Sequence, residues 1–370
     1  MPRDPDVLDP ADPSVVVPGL LRDWLDLQRN LFLRPGVAVE LLRRHSCPRR
    51  ALRAYPRAIP STRGELDAAV AALARDGVVA VPFGSPPYPS ALESLEDAAP
   101  LLLVRGEVSA LAAPSVAMVG SRAASAYGRS VARRLATEFA EAGLVVVSGL
   151  ALGIDAIAHT AALDAGGRTV AVQACGPDRV YPSAHRSLAR RIAGQGAIVS
   201  EFPPGTAPLP YYFPLRNRLI SGLASAVVVV EARERSGSLI TAQHAADQGR
   251  DVFAVPGPIS APTSAGPNRL LRDGAGVVLS AEDVLGEFRR SGELPSHPRR
   301  ASNSPEPDRP GLTGERHRIV RGLLREPATR DQLARRLDLA PEKLALDLLE
   351  LELEGRIAED RDGRLRVVRE

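Results

Sequence analysis

"SVAMVGSRAASAYGRSVARRLATEFAEAGL", residues Ser115–Leu144, decides the fold of this chain. An unbroken apolar run leads into Gly120, and the segment after it is amphipathic, with Val131, Leu135 and Phe139 on one helical face. Strand, glycine turn and helix in this order predict the start of a nucleotide-binding α/β fold. The turn lacks the further glycines of a dinucleotide fingerprint and the Gly-Lys-Ser/Thr of a phosphate loop, so its ligand is an open question.

Short apolar runs of the same kind recur over residues 77–286. They carry no polar alternation, which is typical of strands buried on both faces of a parallel sheet, and helical patterns separate them. The nine runs are VVAVP, PLLLVRG, SVAMVG, LVVVSG, RTVAVQAC, AIVSEF, AVVVVEA, DVFAVPG and GVVLS. The sequence therefore predicts an α/β domain with a parallel sheet and helical crossovers.

The N-terminal part of the chain has a different character. Residues 1–19 are acidic and proline-rich, and we expect them to be disordered. Residues 20–76 place apolar side chains three and four apart, which predicts a small helical domain of the sterile-alpha-motif or helix-hairpin-helix type.

The C-terminal part begins with a change of composition. Residues 287–311 lose all periodicity and fill with Pro, Ser, Arg and Glu, which predicts a linker. Residues 312–370 predict three helices and a hairpin around Asp362-Gly363, the order of a winged-helix domain. Thr329 and Gln332 form a predicted capping box at the start of the second helix.

Composition limits the possible ligands. The net charge of +3 and the pI of about 9.1 suit a polyanionic partner without requiring one. Cys47, Cys175 and six scattered histidines offer no metal-ligand spacing, so we predict no metal and no other cofactor. The N-terminus is unlike a signal peptide and no run approaches the ~20 apolar residues of a membrane span, which predicts a cytoplasmic protein.

Four loops at the carboxyl ends of predicted strands could bind an anion, because ligands of doubly wound sheets bind there, beside helix N-termini. The loops combine glycines, hydroxyl residues and three arginines. They are Gly120–Arg122, Ser148–Asp155, Glu201–Gly205 with the following Phe213–Arg218, and Glu231 with Ser236–Thr241.

Each loop also has a purely structural explanation. Gly120 could make a tight turn, Gly149 and Gly153 could allow close packing of helix on strand, and Ser236-Gly237-Ser238 could cap a helix. The arginines could lie on the surface or in ion pairs. All four loops lie on one rim of the predicted sheet, however, and together they favour an anion site.

A chain of phosphates fits this rim better than a single nucleotide. No acidic residue follows at the distance that would hold a ribose, and the region has no lysine for a phosphate loop. Several arginines with one aromatic residue, Phe213, are typical of a groove for single-stranded nucleic acid.

Catalysis is harder to support. Asp155 and His159 lie four residues apart and could form a triad with Ser148. The alternative is that Asp155 caps a helix and His159 hydrogen-bonds the loop. We favour the alternative and predict that the protein is not an enzyme.

A series of linked motifs resembles the DNA-processing protein A (DprA/Smf) family of bacteria. The motifs run in order over about residues 86–275 and are VGSRAASAYGRSVARRLA, VVSGLALGIDAIAHTAALDAGGRTVAV, GPDRVYPSAHRSLA, SEFPPG, FPLRNRLISGLA, VVVVEARERSGSLITAQHAADQGRDVFAVPG and NRLLRDGA. The resemblance implies an extended Rossmann-like core that binds single-stranded DNA and forms a homodimer. It also implies protection of incoming DNA in natural transformation, loading of the RecA recombinase, and no established catalytic activity.

The resemblance also assigns the DNA-binding residues. Carried over position by position, they are Gly120, Ser121, Arg122, Ser148, Gly149, Gly153, Phe213, Arg216, Asn217, Arg218, Ser236, Gly237, Ser238 and Thr241. One position departs from the family: many relatives have a lysine three residues before the phenylalanine, where this chain has Pro210. We expect Tyr211 or Tyr212 to offset that loss by stacking on a base.

The predicted third helix of the winged-helix domain is acidic. PEKLALDLLELELEG carries five acidic residues against the single Lys343, so duplex phosphates would repel it. We therefore interpret this domain as a protein-contact or regulatory module, although the basic second helix and wing keep DNA binding open. For the whole chain, the alternatives to a single-strand-binding mediator are an enzyme acting on a nucleotide or nucleoside monophosphate, and a pure protein scaffold.

Overall fold

The computed structural model describes residues 8–9, 12–16, 18–294, 319, 323, 328–337, 339, 341–353, 357–360 and 363–367. It divides into two compact units, residues 1–299 and residues 300–370, which are considered in turn.

The first unit is built on a nine-stranded sheet, and every apolar run of the sequence forms one of its strands. The order across the sheet is β11-β10-β9-β5-β6-β7-β8-β4-β3. The strands are β3 (Val78–Pro82), β4 (Leu101–Gly106), β5 (Ser115–Val119), β6 (Val145–Ser148), β7 (Thr169–Val172), β8 (Ala197–Ser200), β9 (Ala226–Val229), β10 (Asp251–Ala254) and β11 (Gly276–Val277). The predicted α/β class with its Rossmann-like core is confirmed.

The sheet is mixed at one edge. β4 runs antiparallel to both β3 and β8, with Val78 opposite Arg105 and Leu103 opposite Ser200, while the other pairs are parallel. The predicted parallel sheet is confirmed for its core, and β4 departs from it. Continuous apolar runs report burial on both faces, and the direction of a strand depends on its neighbours.

Helices cover both faces of this sheet. They are α1 (Pro18–Leu31), α2 (Pro35–His45), α3 (Pro48–Ala54), α4 (Arg63–Arg75), α5 (Ser90–Glu93), α6 (Ala126–Glu141), α7 (Ile154–Asp164), α8 (Arg186–Gln195), α9 (Tyr212–Leu223), α10 (Gly237–Asp247), α11 (Ala265–Arg272) and α12 (Glu282–Arg290). In α6, Leu135 and Phe139 are fully buried as predicted, but Val131 is only partly buried. The buried face is centred on Ala132 and Ala136, one position further along the helix.

The N-terminal residues belong to the same unit as the sheet. Helices α1–α4 share one apolar cluster with β3 and β4, and the side chain of Gln28 donates to the carbonyl oxygens of Leu101 and Glu201 at 3.3 and 2.9 Å. This differs from the predicted separate helical domain over residues 20–76. The reason is that the apolar faces of these short helices bury themselves against the sheet edge instead of against one another alone.

The start of the chain also differs from the expected disordered tail. β1 (Leu8–Asp9) pairs antiparallel with β2 (Asp12–Val16), and α1 already begins at Pro18. Residues 1–7, 10–11 and 17 lie outside the described residues. At the other end of the unit, α12 extends to Arg290, into the stretch predicted as a linker, of which residues 295–311 lie outside the described residues.

The second unit contains α13 (Arg330–Leu337), α14 (Pro341–Leu353) and an antiparallel pair, β12 (Ile357–Glu359) with β13 (Leu365–Val367). The capping box is confirmed: the backbone N–H of Thr329 donates to the side chain of Gln332 at 3.1 Å, and the N–H of Gln332 donates to Thr329 Oγ1 at 3.4 Å. The predicted hairpin is present, although Asp362 lies outside the described residues, as does most of the first predicted helix.

Candidate nucleic-acid interface

A carboxylate of the chain itself occupies the N-terminus of α6, where a dinucleotide-binding fold holds a phosphate. Glu231 follows β9 and is buried. Its carboxylate accepts hydrogen bonds from the backbone N–H and hydroxyl of Ser125, at 2.9 and 2.5 Å, and from the hydroxyl of Thr263 at 3.1 Å. Gly128 makes the space, since a Cβ there would lie 2.3 Å from Glu231 Oε2. The negative charge that the helix dipole favours is thus internal.

The Gly120-Ser121 turn is engaged in the same arrangement. The N–H of Ser121 donates to the carbonyl oxygen of Glu231 at 2.7 Å, and the carbonyl of Gly120 accepts from the Ser238 hydroxyl at 2.9 Å. A Cβ at Gly120 would lie 2.6 Å from the side chain of Ile154. The turn was expected to direct its backbone amides at a phosphate, but the Ser121 amide binds the chain itself.

Beside this turn lies a groove of about 430 Å³, which we call the aromatic groove. Nine of the predicted site residues line it: Gly120, Arg122, Phe213, Arg216, Asn217, Ser236, Gly237, Ser238 and Thr241. The remaining lining residues are Val119, Ala151, Asp155, Tyr181, Pro210, Pro214 and Ile220. The loops after β5, β6 and β9 and the start of α9 therefore meet at one place, at the carboxyl end of the parallel strands.

Phe213 contacts two guanidinium groups. Arg122 Cζ is 5.4 Å from the centre of its ring and Arg216 Cζ is 6.0 Å from it, and both distances are typical of cation–π contacts. The ring of Tyr181 lies 5.5 Å from that of Phe213, centre to centre. Arg122 and Tyr181 are exposed and Phe213 is half-buried, so the groove offers both charge and ring surface to a ligand.

The chain fixes Arg216 in position. It is only 4% exposed, and its Nη1 donates to the carbonyl oxygens of Gly149, at 2.8 Å, and Val172, while Nε donates to Asn217 Oδ1 at 3.3 Å. Burial lowers the pKa of Arg216 to about 10, and the Asp155 carboxylate opposes this, so the side chain is charged at neutral pH. Gly149 is required because a Cβ there would lie 2.7 Å from Arg216 Nη2.

The other predicted site residues lie outside the groove lining. The hydroxyl of the buried Ser148 donates to the Met118 carbonyl at 2.6 Å. Gly153 has a φ of 79°, and a Cβ there would lie 2.2 Å from the Ser121 carbonyl oxygen. Gly149 and Gly153 each allow a close approach within the protein, but their neighbours are the Arg216 guanidinium and the Gly120–Arg122 turn instead of the predicted packing of helix on strand.

Arg218 is an internal cation. It is 1% exposed, forms an ion pair with the buried Glu201, and lies 3.6 Å from a carboxylate oxygen of Asp97. It therefore points into the protein, away from the aromatic groove, although Arg216 two residues earlier lines that groove. Helical geometry alone places residues i and i+2 on different faces.

Ser148, Asp155 and His159 do not form a catalytic relay. Asp155 accepts hydrogen bonds from the backbone N–H groups of Gly149 and Ala151, at 3.1 and 3.3 Å, and so orders the loop before α7. His159 Nδ1 lies 2.7 Å from the Thr169 hydroxyl, in β7, instead of in the loop. Since that hydroxyl donates to a backbone carbonyl, the histidine Nδ1–H must be the donor, and the buried Nε2 makes no hydrogen bond to any residue that the structure describes.

The two tyrosines expected to offset the missing lysine have different environments. Tyr212 is 6% exposed and packs on Phe202 and Phe32, with ring centres 4.8 and 5.9 Å away. Tyr211 is 57% exposed and remains available for stacking. Pro210, at the position of the lysine in many relatives, does line the aromatic groove, so a positive charge is missing there.

Two residues were not assigned a role in the site from the sequence. Tyr181 stands in the quoted GPDRVYPSAHRSLA motif but was not assigned to the site, since nothing in the linear sequence brings it to Phe213. Glu231 was noted after its strand, but its role depends on the contact with α6.

Within the described ranges, no group of three or more His, Cys, Asp or Glu side chains is placed to hold a metal ion. None of the described helices has the length and apolar character needed to cross a bilayer.

The fold and the groove together define a Rossmann-like α/β protein with a basic, aromatic-lined cleft. The family described as "DNA recombination-mediator protein A" matches residues 80–289, and the family described as "DprA winged helix domain" matches residues 303–363. The chain belongs to the DNA recombination-mediator protein A family, whose members carry the names DprA and Smf.

Several relatives extend this comparison. Protein Smf of Escherichia coli K12 is 41% identical over 291 residues, which cover 78% of this chain and 77% of that protein. DNA processing protein DprA of Bacillus subtilis 168 is 42% identical over 225 residues, 60% of this chain and 76% of that protein. The DprA structure from Streptococcus pneumoniae superposes with a TM-score of 0.59 at 36% identity, covering 73% of this chain and 94% of its own.

A second solved structure concerns DNA directly. It describes the single-stranded DNA binding mode of DNA processing protein A from Helicobacter pylori. It is 31% identical, with a TM-score of 0.51, and covers 55% of this chain and 93% of its own.

Replacing Glu231 by alanine is predicted to expose an anion site at the N-terminus of α6. The change leaves the N–H and hydroxyl of Ser125 without their partner, so we expect the free energy of unfolding to fall by about 1–3 kcal/mol. Added phosphate or sulfate should raise the melting temperature of the variant part of the way back to the wild-type value, because the vacated helix N-terminus attracts anions. Glu234→Ala, an exposed neighbour, is the control, and equal anion effects in both variants would contradict the assignment.

Arg218→Ala is predicted to act on stability. Removing one partner of a buried ion pair leaves Glu201 uncompensated, and we expect a loss of about 3–5 kcal/mol in urea-induced unfolding. Arg122→Ala, at an exposed position, should change the free energy of unfolding by no more than about 0.5 kcal/mol. Similar losses for the two variants would show that Arg218 is not an internal structural cation.

His159 is predicted to make stability depend on pH. Burial lowers the pKa of His159 to about 3, below its ordinary value of 6.5. Between these values the unfolded chain binds the proton and the folded chain does not. The contribution of His159 to the free energy of unfolding therefore has its full value above pH 6.5. It falls as the pH decreases toward 3, with a limiting slope of about 1.4 kcal/mol per pH unit. His159→Leu should remove this component between about pH 5 and 6.5, and unchanged slopes in urea unfolding would contradict it.

Proposed function

We propose that the aromatic groove binds single-stranded DNA with little sequence preference. The observation that carries this proposal is the half-buried ring of Phe213 with the guanidinium groups of both Arg122 and Arg216 in cation–π contact with it. A ring can stack on any base, and the two cations can hold the adjoining phosphates. The one acidic residue of the groove, Asp155, has its carboxylate occupied by two backbone amides.

A polymer fits this groove better than a free nucleotide. The strongest phosphate position of a Rossmann-like fold, the N-terminus of α6, is filled by Glu231. What is left is an open cleft with one exposed cation, Arg122, and one buried cation held by backbone carbonyls, Arg216. The Helicobacter pylori relative, whose solved structure describes its single-stranded DNA binding mode, supports the same ligand for this chain.

The N-terminus of α10 supplies further contacts in this proposal. Ser236 caps it, accepting from the N–H of Ser238 at 3.3 Å, and Gly237 is exposed at the first turn. The helix dipole favours a phosphate there, and the space beside Gly237 is open, since a Cβ at this position would have no other atom within 4 Å. Asn217 and Thr241 line the same wall. Ser121, Ser148, Gly149, Gly153 and Arg218 then act by shaping the site and not by touching DNA.

In the cell, we infer a recombination mediator. The chain would protect incoming single strands in natural transformation and help to load the RecA recombinase, acting in the cytoplasm as a homodimer and by binding instead of catalysis. The family description as a recombination mediator supports this role. The winged-helix unit would serve as a protein contact, because Asp347, Glu350 and Glu352 make its last described helix acidic.

Arg122→Ala and Phe213→Ala are predicted to weaken binding of a fluorescent oligothymidylate, measured by anisotropy. Loss of the ring should cost about 1–3 kcal/mol, which is about 5- to 150-fold in affinity. Loss of Arg122 should also reduce the salt slope, log K against log salt, by about 0.7. Arg133→Ala, which removes an exposed arginine from α6, is the control and should behave as wild type.

The same assay separates the competing functions. Tight, salt-insensitive binding of a nucleoside monophosphate together with weak oligonucleotide binding would favour an enzyme on nucleotides. Absence of any nucleic-acid binding would favour a protein scaffold. Either result would overturn the proposal.

A further inference from the structure

A second cleft lies next to the aromatic groove. It has a volume of about 720 Å³, and four of its lining residues are arginines: Arg105, Arg179, Arg186 and Arg190. We call this cleft the arginine basin, after these four residues. None of them was assigned to DNA binding from the sequence, although Arg179 and Arg186 stand in the quoted GPDRVYPSAHRSLA motif, and their positive charge needs an explanation of its own.

The charge of the arginine basin is largely uncompensated. Asp178 is the only acidic residue in its lining, and its carboxylate already pairs with Arg179 at 3.6 Å and accepts from the N–H of Gly205 at 2.8 Å. Arg105, Arg186 and Arg190 form no ion pair within the described part of the chain. The Nε of Arg105 is buried and makes no hydrogen bond there either.

The arrangement opposes the stability of α8. Arg186 is the first residue of that helix, where the dipole favours negative charge, and Arg190 lies one turn later on the same face. No acidic residue is present in the first turn. Two like charges at this spacing repel each other, and a bound anion would relieve both unfavourable terms. Both side chains are exposed and so accessible to a ligand.

Tyr181 joins the two clefts. It lines the arginine basin and the aromatic groove, and its ring packs near Phe213. A ligand that leaves the groove past Tyr181 therefore enters the basin directly. A mononucleotide would occupy only one of the clefts, whereas a polynucleotide could fill both.

We propose that the arginine basin binds the phosphodiester backbone of the same DNA single strand whose bases occupy the aromatic groove. The basin contains no ring besides that of Tyr181, so it is suited to phosphates more than to bases. The strand would then run from the N-terminus of α10, over Phe213 and Tyr181, to the N-terminus of α8. This inference rests on the proposed function and extends its site.

The test uses the full chain and oligothymidylates of about 4 and about 16 nucleotides. Arg186→Gln with Arg190→Gln removes two basin charges at exposed positions. We expect affinity for the longer oligonucleotide to fall on the order of tenfold at low salt, and its salt slope to fall by about 1.4, because two phosphate contacts are lost. Binding of the short oligonucleotide, which the groove alone accommodates, should not change.

Two controls accompany the variant. Arg50→Gln with Arg53→Gln removes the same charge from exposed positions on α3 and should leave both affinities unchanged. The melting temperature of the basin variant should stay the same or rise, since like charges are removed from α8. A loss of binding with an intact fold is then due to the basin.

Other outcomes overturn the inference in distinguishable ways. If Arg122→Ala weakens both oligonucleotides but the basin variant binds the longer one as wild type, the proposed function stands and the basin is not part of the path. If Arg122→Ala has no effect, the proposed function itself fails. If the basin variant loses affinity only for inorganic phosphate, measured calorimetrically, the basin is a site for a small phosphate ligand.

Discussion

The contact between the Glu231 carboxylate and the N-terminus of α6 is the constraint on which the rest of the site depends. This buried carboxylate accepts one backbone N–H, that of Ser125 at the helix N-cap, and two hydroxyls, and it supplies the charge that the helix dipole favours. The same residue, through its backbone carbonyl, fixes the Ser121 amide. A Rossmann-like fold is thereby closed to a phosphate at its usual position, and ligand binding moves to the neighbouring cleft.

Arg122, Arg216 and Arg218 differ in burial and therefore have different roles. Arg218 forms a buried ion pair with Glu201. Burial raises the pKa of Glu201 to about 7, and the Arg218 guanidinium opposes this rise. Arg216 is held by two backbone carbonyls but reaches the aromatic groove, so its orientation is set before any ligand arrives. Arg122 is exposed and rests over Phe213. A fixed cation and an exposed cation beside one ring can accommodate a flexible strand.

The glycines show why residue type alone is ambiguous. Gly120, Gly149 and Gly153 are all required, but each is required by a close approach within the protein: to Ile154, to Arg216 and to the backbone of the Gly120–Arg122 turn. A glycine that admits a ligand phosphate and one that admits a neighbouring side chain have the same sequence pattern. Only the identity of the atom facing the missing Cβ separates them.

The sequence by itself determined the nine strands, the helix after the opening turn, the capping box at Thr329 and the family, because burial on both strand faces, helical periodicity and capping are local properties. It also identified nine of the residues that meet in the aromatic groove, since loops after parallel strands lie at one edge of the sheet. The tertiary structure alone decided the reversed direction of β4, the inward position of Arg218 and the approach of Tyr181 to Phe213. It also decided that Glu231 takes the place of a phosphate. Each of these depends on which distant residue lies opposite, and contacts between residues far apart in the chain leave no periodic signal in its sequence.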